Sequence, residues 1–388
     1  MKTLYFDYCA SSPLYPQVIR QLEVSAREIY ANPSSTHKMG FEVSHLIEDS
    51  KNVISELLDI KSTEIIFTSG ATESNNLAIL GIISALKKKS DQALHIVTSN
   101  VEHSSVFNCC KSLESEGVDV TYLPVNSHGI VSISELEKSL RPNTALVSVM
   151  HVNNETGSIQ PVEEIAGLLK SKFKHIYFHV DGVQGFGKAP LKLNDIDLFT
   201  ISGHKIGAPK GIGVLIAKEY VTIEPLFYGG NQEYGLRPGT TNVSGVLCIT
   251  EAIRISITEQ QQRREYLQRL HDYVLSKLKL IPELVINTPI APLAAPHIIN
   301  FSYMNVPSAI LISLLTKKGI IVSSQSACSS QVKISRVLMA ITNDEGISSS
   351  SIRLSFHETV RFEEIEYLVN SIKEMVDQIK SKKKYSYI

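Results

Sequence analysis

Lys205 is the residue of this sequence best placed to do covalent chemistry. It lies in a glycine-rich loop between two apolar runs, residues 196–201 and 214–217, that both predict strands. Glycines let backbone come close to a ligand, and Ser202 and His204 add hydrogen-bonding groups beside the lysine. A lysine in such a loop can bind an aldehyde cofactor as a Schiff base, although most lysines are solvated surface charges.

Asp181 lies upstream of this loop, at the end of a third apolar run, residues 176–180. Pyridoxal phosphate stores electrons in its ring only while the pyridine nitrogen is protonated. A site for it therefore needs an acid opposite that nitrogen as well as a lysine opposite the aldehyde. Asp181 and Lys205 fit these two roles. An aspartate at a strand end can also simply cap a turn, so the interpretation depends on the two residues lying together.

Two further groups follow predicted strands. Thr72 lies in the small-residue turn Ser69-Gly70-Ala71-Thr72, between a strand at 64–68 and a helix. Backbone N–H groups at a helix start are unpaired and attract phosphate, although the same pattern is typical of ordinary helix capping. His103 follows the strand predicted at 95–99. An imidazole there can stack on a planar ring and titrate near neutral pH, or be merely a polar loop residue.

Five motifs occur along the chain in a fixed order. They are Ser-Gly-Ala-Thr-Glu-Ser-Asn-Asn at 69–76, His-Val-Asn-Asn-Glu-Thr-Gly at 151–157, His-Val-Asp at 179–181, Ser-Gly-His-Lys at 202–205 and Ser-Ala-Cys at 326–328. Together they resemble the cysteine desulfurases, which are pyridoxal-phosphate enzymes of the class-V aminotransferase group. The resemblance runs from about Tyr5 to the region of Glu363, nearly the whole chain.

The resemblance implies an enzyme that takes sulfur from L-cysteine, releases L-alanine and holds the sulfur as a persulfide on Cys328. Lys205 would carry pyridoxal 5'-phosphate and move the Cα proton. Asp181 would keep the ring nitrogen protonated, and His103 would stack on the ring and shuttle protons. The other cofactor contacts that the resemblance implies are Ala71, Thr72, Asn154, Gln184 at the ring hydroxyl, Ser202, His204, and Thr240 reaching the phosphate of the partner subunit.

The resemblance also implies substrate contacts and partners. Asn32, Asn154 and Arg353 would bind the substrate, with Arg353 presenting a planar fork to its carboxylate. From the residues alone, Asn32 fits an Asx-Pro turn with a helix cap equally well, and Arg353 fits a strand-end arginine in a surface ion pair. The protein would be a homodimer that passes sulfur from Cys328 to an iron–sulfur scaffold or another acceptor. No resident metal is expected, apart from a transient iron–sulfur contact through Cys328.

Three departures from the family pattern concern loops around the expected site. Residues 8–12 read Tyr-Cys-Ala-Ser-Ser, Gln325 replaces a common glycine, and Ile334 replaces a common proline. The last two flank the loop of Cys328, so loop flexibility, and hence partner choice or rate, could differ from the family. Without the Ser-Ala-Cys motif, Cys328 would be read as a small, partly buried thiol.

The length of the chain and the alternation of its predicted strands and helices indicate the fold. With 388 residues, two domains are expected. Regular alternation of strands and helices predicts an α/β fold, and the resemblance implies the fold of pyridoxal-phosphate enzymes of fold type I. We predict a large domain at 17–255 with a mostly parallel sheet, and a smaller α+β domain, residues 1–16 and 256–388, that carries the cysteine loop. Residues 246–278 are predicted to be largely helical, with the charged portion 259–264 in solvent.

Composition argues against several other classes of protein. The net charge of −1, with both signs spread along the chain, disfavours nucleic-acid binding. Neither a signal peptide nor an apolar run of membrane-spanning length is evident, so a cytoplasmic protein is expected. The five cysteines include no Cys-x-x-Cys pair, which argues against a disulfide framework or a zinc site.

Two alternatives to a desulfurase stay open at this point. A selenocysteine lyase or aminotransferase of the same fold would share the lysine and the aspartate without needing a mobile thiol. A non-catalytic relative would be expected to lack Lys205, Asp181 or Cys328, yet all three are present.

Overall fold

The computed structural model describes residues 3–325 and 334–385, with side chains described up to residue 381. The strands are β1 (Leu4–Tyr5), β2 (Ile65–Thr68), β3 (His95–Ser99), β4 (Asp119–Leu123), β5 (Thr144–Met150), β6 (Tyr177–Asp181), β7 (Leu198–Ser202), β8 (Gly213–Ala217), β9 (Leu284–Ile286), β10 (Ile298–Tyr303), β11 (Ile320–Ile321) and β12 (Ser351–Ser355). The helices are α1 (Pro16–Glu28), α2 (Lys38–Leu58), α3 (Ala71–Lys89), α4 (Ser104–Ser115), α5 (Ile133–Ser139), α6 (Val162–Lys172), α7 (Val243–Thr258), α8 (Gln260–Leu278), α9 (Ser308–Thr316), α10 (Arg336–Thr342), α11 (Glu345–Ser348) and α12 (Phe362–Tyr385).

The largest sheet has the strand order β2-β8-β7-β6-β5-β3-β4. The neighbouring pairs β4-β3, β3-β5, β5-β6 and β6-β7 are parallel. Strand β8 pairs antiparallel with both β7 and β2. Strands β3, β5, β6 and β7 are buried on both faces along almost their whole length, as parallel strands covered by helices must be. The predicted α/β fold is therefore confirmed. The carboxyl ends of β3, β5, β6 and β7 meet at one edge, where ligands bind in such sheets.

A second sheet, of order β12-β10-β9, is antiparallel and lies in the C-terminal part of the chain. Its own hydrophobic cluster includes Leu270 of α8, Phe301 of β10 and Ile372 of α12. The large sheet has separate clusters of buried residues. These separate cores support the proposed division into 17–255 and the remainder.

The N-terminal arm connects the two parts. β1 pairs in parallel with β11, and Asp7 bridges Ser355 of β12. Phe6 is buried in the C-terminal cluster. Beyond it, the arm turns towards the large sheet, where Ser12 N donates to the carbonyl of His204. The residues between Asp7 and Ser12 are thus held at the edge where the functional loops meet.

Most predicted elements are present with boundaries shifted by a few residues, and the strand at 95–99 is exact. Residues 246–278 are largely helical, as predicted; they form two helices, α7 from Val243 and α8 after a break at Glu259. The predicted exposure of 259–264 is wrong at Arg263. This arginine is buried and pairs with Glu259 and Glu358. In the parts of the chain that the structure describes, no helix has the length and apolarity to cross a membrane.

A buried ion pair fixes the segment that follows β8. Lys51 Nζ of α2 lies 2.9 Å from Glu233 Oε2, and both side chains are more than nine-tenths buried. The same carboxylate oxygen accepts a hydrogen bond from the backbone N–H of Phe67 in β2. The lysine also lies 4.3 Å from the ring centre of Tyr234. Glu233 therefore joins α2, the sheet and the 234–240 segment.

We expect Glu233→Ala to lower the free energy of unfolding by about 3–5 kcal/mol, because Lys51 would remain charged in a buried position without its carboxylate. The double variant Lys51→Met/Glu233→Ala should recover part of this loss. Urea unfolding followed by circular dichroism measures both. Glu137→Ala, which breaks an exposed pair with Lys172, serves as the control and should leave the unfolding midpoint unchanged. A Glu233→Ala variant as stable as this control would contradict the prediction.

Candidate active site

A cavity of about 390 Å³ lies at the carboxyl edge of the large sheet. It is bounded by the ends of β6 and β7, the start of α3, the N-terminal arm and β12. Ten of the predicted site residues line it: Ala71, Thr72, His103, Asn154, Asp181, Gln184, Ser202, His204, Lys205 and Arg353. The structure thus brings together residues as far apart in the sequence as Ala71 and Arg353.

Lys205 ends a 3₁₀ turn, Gly203–Lys205, that follows β7 directly. Its Nζ donates to the carbonyl oxygens of Cys9 at 2.6 Å and Ala10 at 2.9 Å, both in the N-terminal arm. Burial lowers the pKa of this amine to about 8, because the charged form loses hydration. A lysine with such a pKa has a sizeable neutral fraction near physiological pH and can act as a nucleophile or a base.

Asp181 is the last residue of β6 and is only 5 % exposed. Both carboxylate oxygens accept hydrogen bonds, Oδ1 from the backbone N–H of Val183 at 3.1 Å and Oδ2 from Asn75 Nδ2 at 2.9 Å. Asn75 Nδ2 also lies 2.8 Å from Ser105 Oγ. The carboxylate is therefore held in one orientation at the cavity wall. Asn75 and Ser105 were not predicted as site residues, although Asn75 belongs to the motif at residues 69–76, three residues after Thr72.

His103 caps the N-terminus of α4. Its Nδ1 accepts from the backbone N–H of Ser105 at 3.2 Å, which assigns the ring proton to Nε2. Burial lowers the pKa of the imidazole below its usual value; Lys205 and Arg336 act in the same direction and Asp181 opposes them. The ring is thus neutral at physiological pH, as a stacking group that exchanges protons would need to be.

The opposite end of the cavity is built from the start of α3 and the loop after β7. Gly70 precedes the helix with φ of 149° and, as a glycine, has no side chain to cap the first turn. A Cβ at Gly213 would lie 2.6 Å from Gly70 Cα, so glycine is required where these two backbones approach. The free helix N-terminus, with the Thr72 and Ser202 hydroxyls beside it, is suited to an anion.

Besides Arg353 Nε, two buried polar atoms in the cavity wall have no hydrogen-bond partner in the described part of the chain. They are Gln184 Oε1 and His204 Nδ1. Gln184 Nε2 is used, since it donates to the carbonyl of Cys9 at 3.1 Å. Burial lowers the pKa of His204 to about 4, so its ring is neutral. Unpartnered buried atoms beside a helix N-terminus and a reactive lysine fit a bound pyridoxal phosphate, whose ring hydroxyl and phosphate would meet them.

Arg353 lies in the middle of β12 and is 1 % exposed. The alternative of a surface ion pair is therefore wrong, because the ion pair that it makes is buried. Nη2 donates to Asp7 Oδ1 at 2.6 Å, and Nη1 donates to the carbonyl of Asn154 at 2.9 Å. Asp7 was not predicted as a site residue, because it comes close to Arg353 only when the arm folds back. Arg353 lines the cavity with its guanidinium oriented by these two contacts.

Two predicted residues, Asn32 and Thr240, are placed elsewhere. Asn32 is exposed, and its Oδ1 accepts from Ser34 N at 2.9 Å, which is the Asx turn of the alternative interpretation. Thr240 is exposed, and neither Thr240 nor Asn32 lines the cavity in the described chain. Their roles, and that of Thr240 in a partner's site, stay predictions. Cys328 lies outside the described residues.

The residues that flank 326–333 contact the site. Before this segment, Ser323 pairs with Arg353 in an isolated bridge. After it, Ser335 Oγ donates to Glu155 Oε2 at 2.6 Å, next to Asn154. Arg336 donates to the carbonyls of Asn100 and Glu102, next to His103. The chain on both sides of the segment is thus fixed beside the cavity.

Comparisons with known proteins place these features in a family context. A family model described as aminotransferase class-V matches residues 4–368. The chain is 38 % identical over 384 residues to the cysteine desulfurase IscS of Dictyoglomus turgidum, covering 98 % of this chain and 96 % of that protein. It is also 38 % identical to the mitochondrial cysteine desulfurase of Eremothecium gossypii, covering 97 % of this chain and 76 % of that protein.

The chain also resembles solved structures. A NifS-like protein superposes with a TM-score of 0.90 at 34 % identity, covering 97 % of this chain and 99 % of the other. A structure described as SspA in complex with cysteine superposes with a TM-score of 0.78 at 32 % identity, covering 91 % of this chain and 99 % of the other.

We expect Lys205 in the cofactor-free protein to be methylated by formaldehyde and a borohydride with a rate that is half-maximal near pH 8, because burial lowers its pKa to about 8. The neutral amine reacts, so the rate should fall as the pH drops through this value and level off above it. An ordinary lysine would reach half-maximal rate at about pH 10.4. Peptide mass spectrometry measures the modification, with exposed Lys192 as the internal reference. A midpoint above pH 10 at Lys205 would contradict the prediction.

Proposed function

The chain belongs to the class-V aminotransferases and, within that family, to the cysteine desulfurases, and from this premise we infer that it takes sulfur from L-cysteine and releases L-alanine. Pyridoxal 5'-phosphate is the proposed cofactor. The observation that carries the inference is that one cavity brings together Lys205, Asp181 and Arg353 beside an uncapped helix N-terminus. These groups suit the aldehyde, the ring nitrogen, a substrate carboxylate and a phosphate, respectively.

When bound, the cofactor supplies an electron sink that allows the Cα–H and C–S bonds of an amino acid to be broken. Asp181, held by Asn75 and the Val183 N–H, provides the fixed negative charge opposite the ring nitrogen. Lys205, with its pKa lowered to about 8 by burial, holds or releases a proton at Nζ. The carbonyls of Cys9 and Ala10 accept from the protonated form and so define where that proton lies.

The substrate carboxylate is proposed to bind at Arg353. The guanidinium is buried and oriented by Asp7 and by the carbonyl of Asn154, while its Nε has no partner among the described residues. A buried, oriented guanidinium loses little entropy when it binds a carboxylate. His103, neutral and protonated at Nε2, is proposed to stack on the ring and to exchange a proton with the substrate.

Cys328 is the proposed sulfur acceptor. Its thiolate attacks the substrate sulfur, an S–S bond forms, the C–S bond breaks, and the electron pair of that bond stays with the carbon, which is protonated to give alanine. The persulfide is proposed to pass to an iron–sulfur scaffold or another sulfur acceptor, with a transient iron–sulfur contact through Cys328. The proposed location is the cytoplasm, as the sequence predicts.

A homodimer is proposed on the basis of exposed aromatic side chains close to the Thr240 loop. Tyr228 is 84 % exposed, and Phe227 and Tyr234 are also largely exposed. Gln232 Nε2 reaches Ser34 Oγ at 3.5 Å, which brings the Asn32 turn to the same face. Large apolar groups clustered on a surface mark an interface. Through this face, Thr240 would reach the phosphate site of the partner.

A stoichiometric assay tests the proposed activity directly. The full-length protein with cofactor, cysteine and a reductant should yield alanine and sulfide in equal amounts. Transfer of the amino group to a keto acid without sulfide release would show an aminotransferase instead. Activity with selenocysteine but not with cysteine would show a lyase for that substrate.

We expect Cys328→Ser to keep its cofactor but to form no persulfide, because a hydroxyl stays protonated at neutral pH and is a poor nucleophile towards sulfur. Mass spectrometry after incubation with cysteine measures the modification. Cys109→Ser is the matched control, since burial raises the pKa of this thiol to about 12 and makes it unreactive. A persulfide on Cys9, Cys109, Cys110 or Cys248 in an active Cys328→Ser protein would show that another thiol accepts the sulfur.

We expect Arg353→Lys to raise the KM for cysteine by about 10–100-fold, because the variant loses one charge-assisted hydrogen bond of a planar fork. Asp7→Asn keeps an acceptor for Arg353 and should have a smaller effect. Steady-state kinetics of alanine formation measure both. Arg361→Lys, at an exposed arginine paired with Glu364, is the control. An unchanged KM in Arg353→Lys would place the carboxylate elsewhere.

A further inference from the structure

Arg336 connects the C-terminal part of the chain to the turn that carries His103. It is the first residue of α10, directly after the helix-capping Ser335. Its Nη1 donates to the carbonyl oxygen of Asn100, and its Nη2 donates to that of Glu102. Both carbonyls lie in the turn between β3 and α4, and His103 is the last residue of that turn. One side chain therefore holds the turn at two points just before the histidine.

The guanidinium of Arg336 is itself fixed by further contacts. Its Cζ lies 3.9 Å from the ring centre of Phe107, in the first turn of α4. A guanidinium on an aromatic face gains cation–π attraction while its N–H groups stay available at the edge. The preceding Ser335 Oγ accepts from the backbone N–H of Leu338 at 3.1 Å and donates to Glu155 Oε2 at 2.6 Å. The arginine thus has an ordered position, set by the ring on one side and by the anchored start of α10 on the other.

The turn before His103 depends on side chains of other segments for the hydrogen bonds of its carbonyls. Asn153 Nδ2 donates to the carbonyl of Val101 at 3.0 Å, while Arg336 serves the carbonyls on either side of it. Loss of the arginine would leave two of these three carbonyls without their donor. Unpaired backbone groups are unfavourable, so the turn would change its path to find new partners.

Arg336 also acts on His103 through its charge. Burial is the largest cause that lowers the pKa of the imidazole, and the positive charges of Lys205 and Arg336 lower it further. Asp181, at the end of β6, opposes them. Glu102, next to the histidine, is wholly buried, and burial raises its pKa to about 8, so this carboxyl is largely uncharged at neutral pH. The arginine therefore favours the neutral ring that proton exchange needs.

We propose that Arg336 is a positioning residue for the proposed reaction, because it fixes the turn between β3 and α4 and so holds the ring of His103 at the cavity. This inference rests on the proposed function, since it concerns the stacking and proton exchange assigned to His103. Arg336 is not among the residues that line the cavity in the described chain. It acts on the reaction through the histidine rather than by contact with the substrate.

Diethyl pyrocarbonate measures the charge state of His103, because it modifies only the neutral imidazole. Full-length protein freed of cofactor is treated at a series of pH values, and peptide mass spectrometry gives the rate, with exposed His175 as the reference for the reagent. We expect a midpoint below the ordinary value of about 6.5 in the wild type. In Arg336→Met, it should rise by about 0.5 pH or more, because a positive charge near the ring is lost. An unchanged midpoint would refute the inference.

Steady-state kinetics of the enzyme with pyridoxal 5'-phosphate measure the effect on turnover. Arg336→Met should lower kcat about tenfold or more and change the KM for cysteine less than about threefold, because the histidine is misplaced while the carboxylate contact at Arg353 is kept. Arg336→Lys keeps the charge, so it should keep the midpoint of His103 and recover part of kcat. Arg141→Met, at an exposed arginine paired with Asp119, is the control. A kcat equal to that of this control in folded Arg336→Met would overturn the proposal.

Failure of this inference is distinguishable from failure of the proposed function. Wild-type protein that forms no alanine from cysteine would refute the proposed function, and the midpoint of His103 in the variants would still decide whether Arg336 acts on it. If Arg336→Met does not fold, Arg336→Gln provides the second test, because it keeps an N–H donor for one carbonyl and loses the charge. The same rise in the midpoint is expected, and its absence would refute the inference whatever the activity.

Discussion

The desolvated amine of Lys205 sets requirements that the surrounding structure meets. An ammonium group withdrawn from water needs acceptors, and the carbonyls of Cys9 and Ala10 supply them. These carbonyls belong to an arm that is held by β11 and β12 rather than by the sheet that carries the lysine. The reactive group and its hydrogen-bond acceptors therefore come from different cores, and the site exists only when the two are packed together.

The same arm serves several side chains at once. The carbonyl of Cys9 accepts from both Lys205 and Gln184, while the N–H of Cys9 donates to Ser355 Oγ. Asp7, two residues earlier, orients Arg353. A displacement of this short segment would move the lysine, the glutamine and the arginine together. Precise placement of several groups by one rigid segment is what catalysis by orientation requires.

The sequence predicts the part of the site that depends on local pattern. Apolar runs end at Asp181 and Ser202 because the strands end there, and parallel strands bring such ends to one edge. Asn75, Ser105 and Asp7 escape prediction because their partners lie far away in the chain, at distances that periodicity does not encode. The helix break at Glu259 is not predicted either, because the residues on both sides of it have a helical pattern. The burial of Arg263 is not predicted, because it depends on the ion pair with Glu358.

The pairing of the N-terminal arm with the last strand has a consequence for biosynthesis. Asp7 and Arg353 are separated by 346 residues, so the ribosome makes the arm long before its partner. At usual rates of translation, about 20–70 s pass between the two events. During that interval, the large sheet can form while the amine of Lys205 still lacks its carbonyls. The nascent chain thus carries Lys205 on a formed sheet before β12 is made and the arm completes the site.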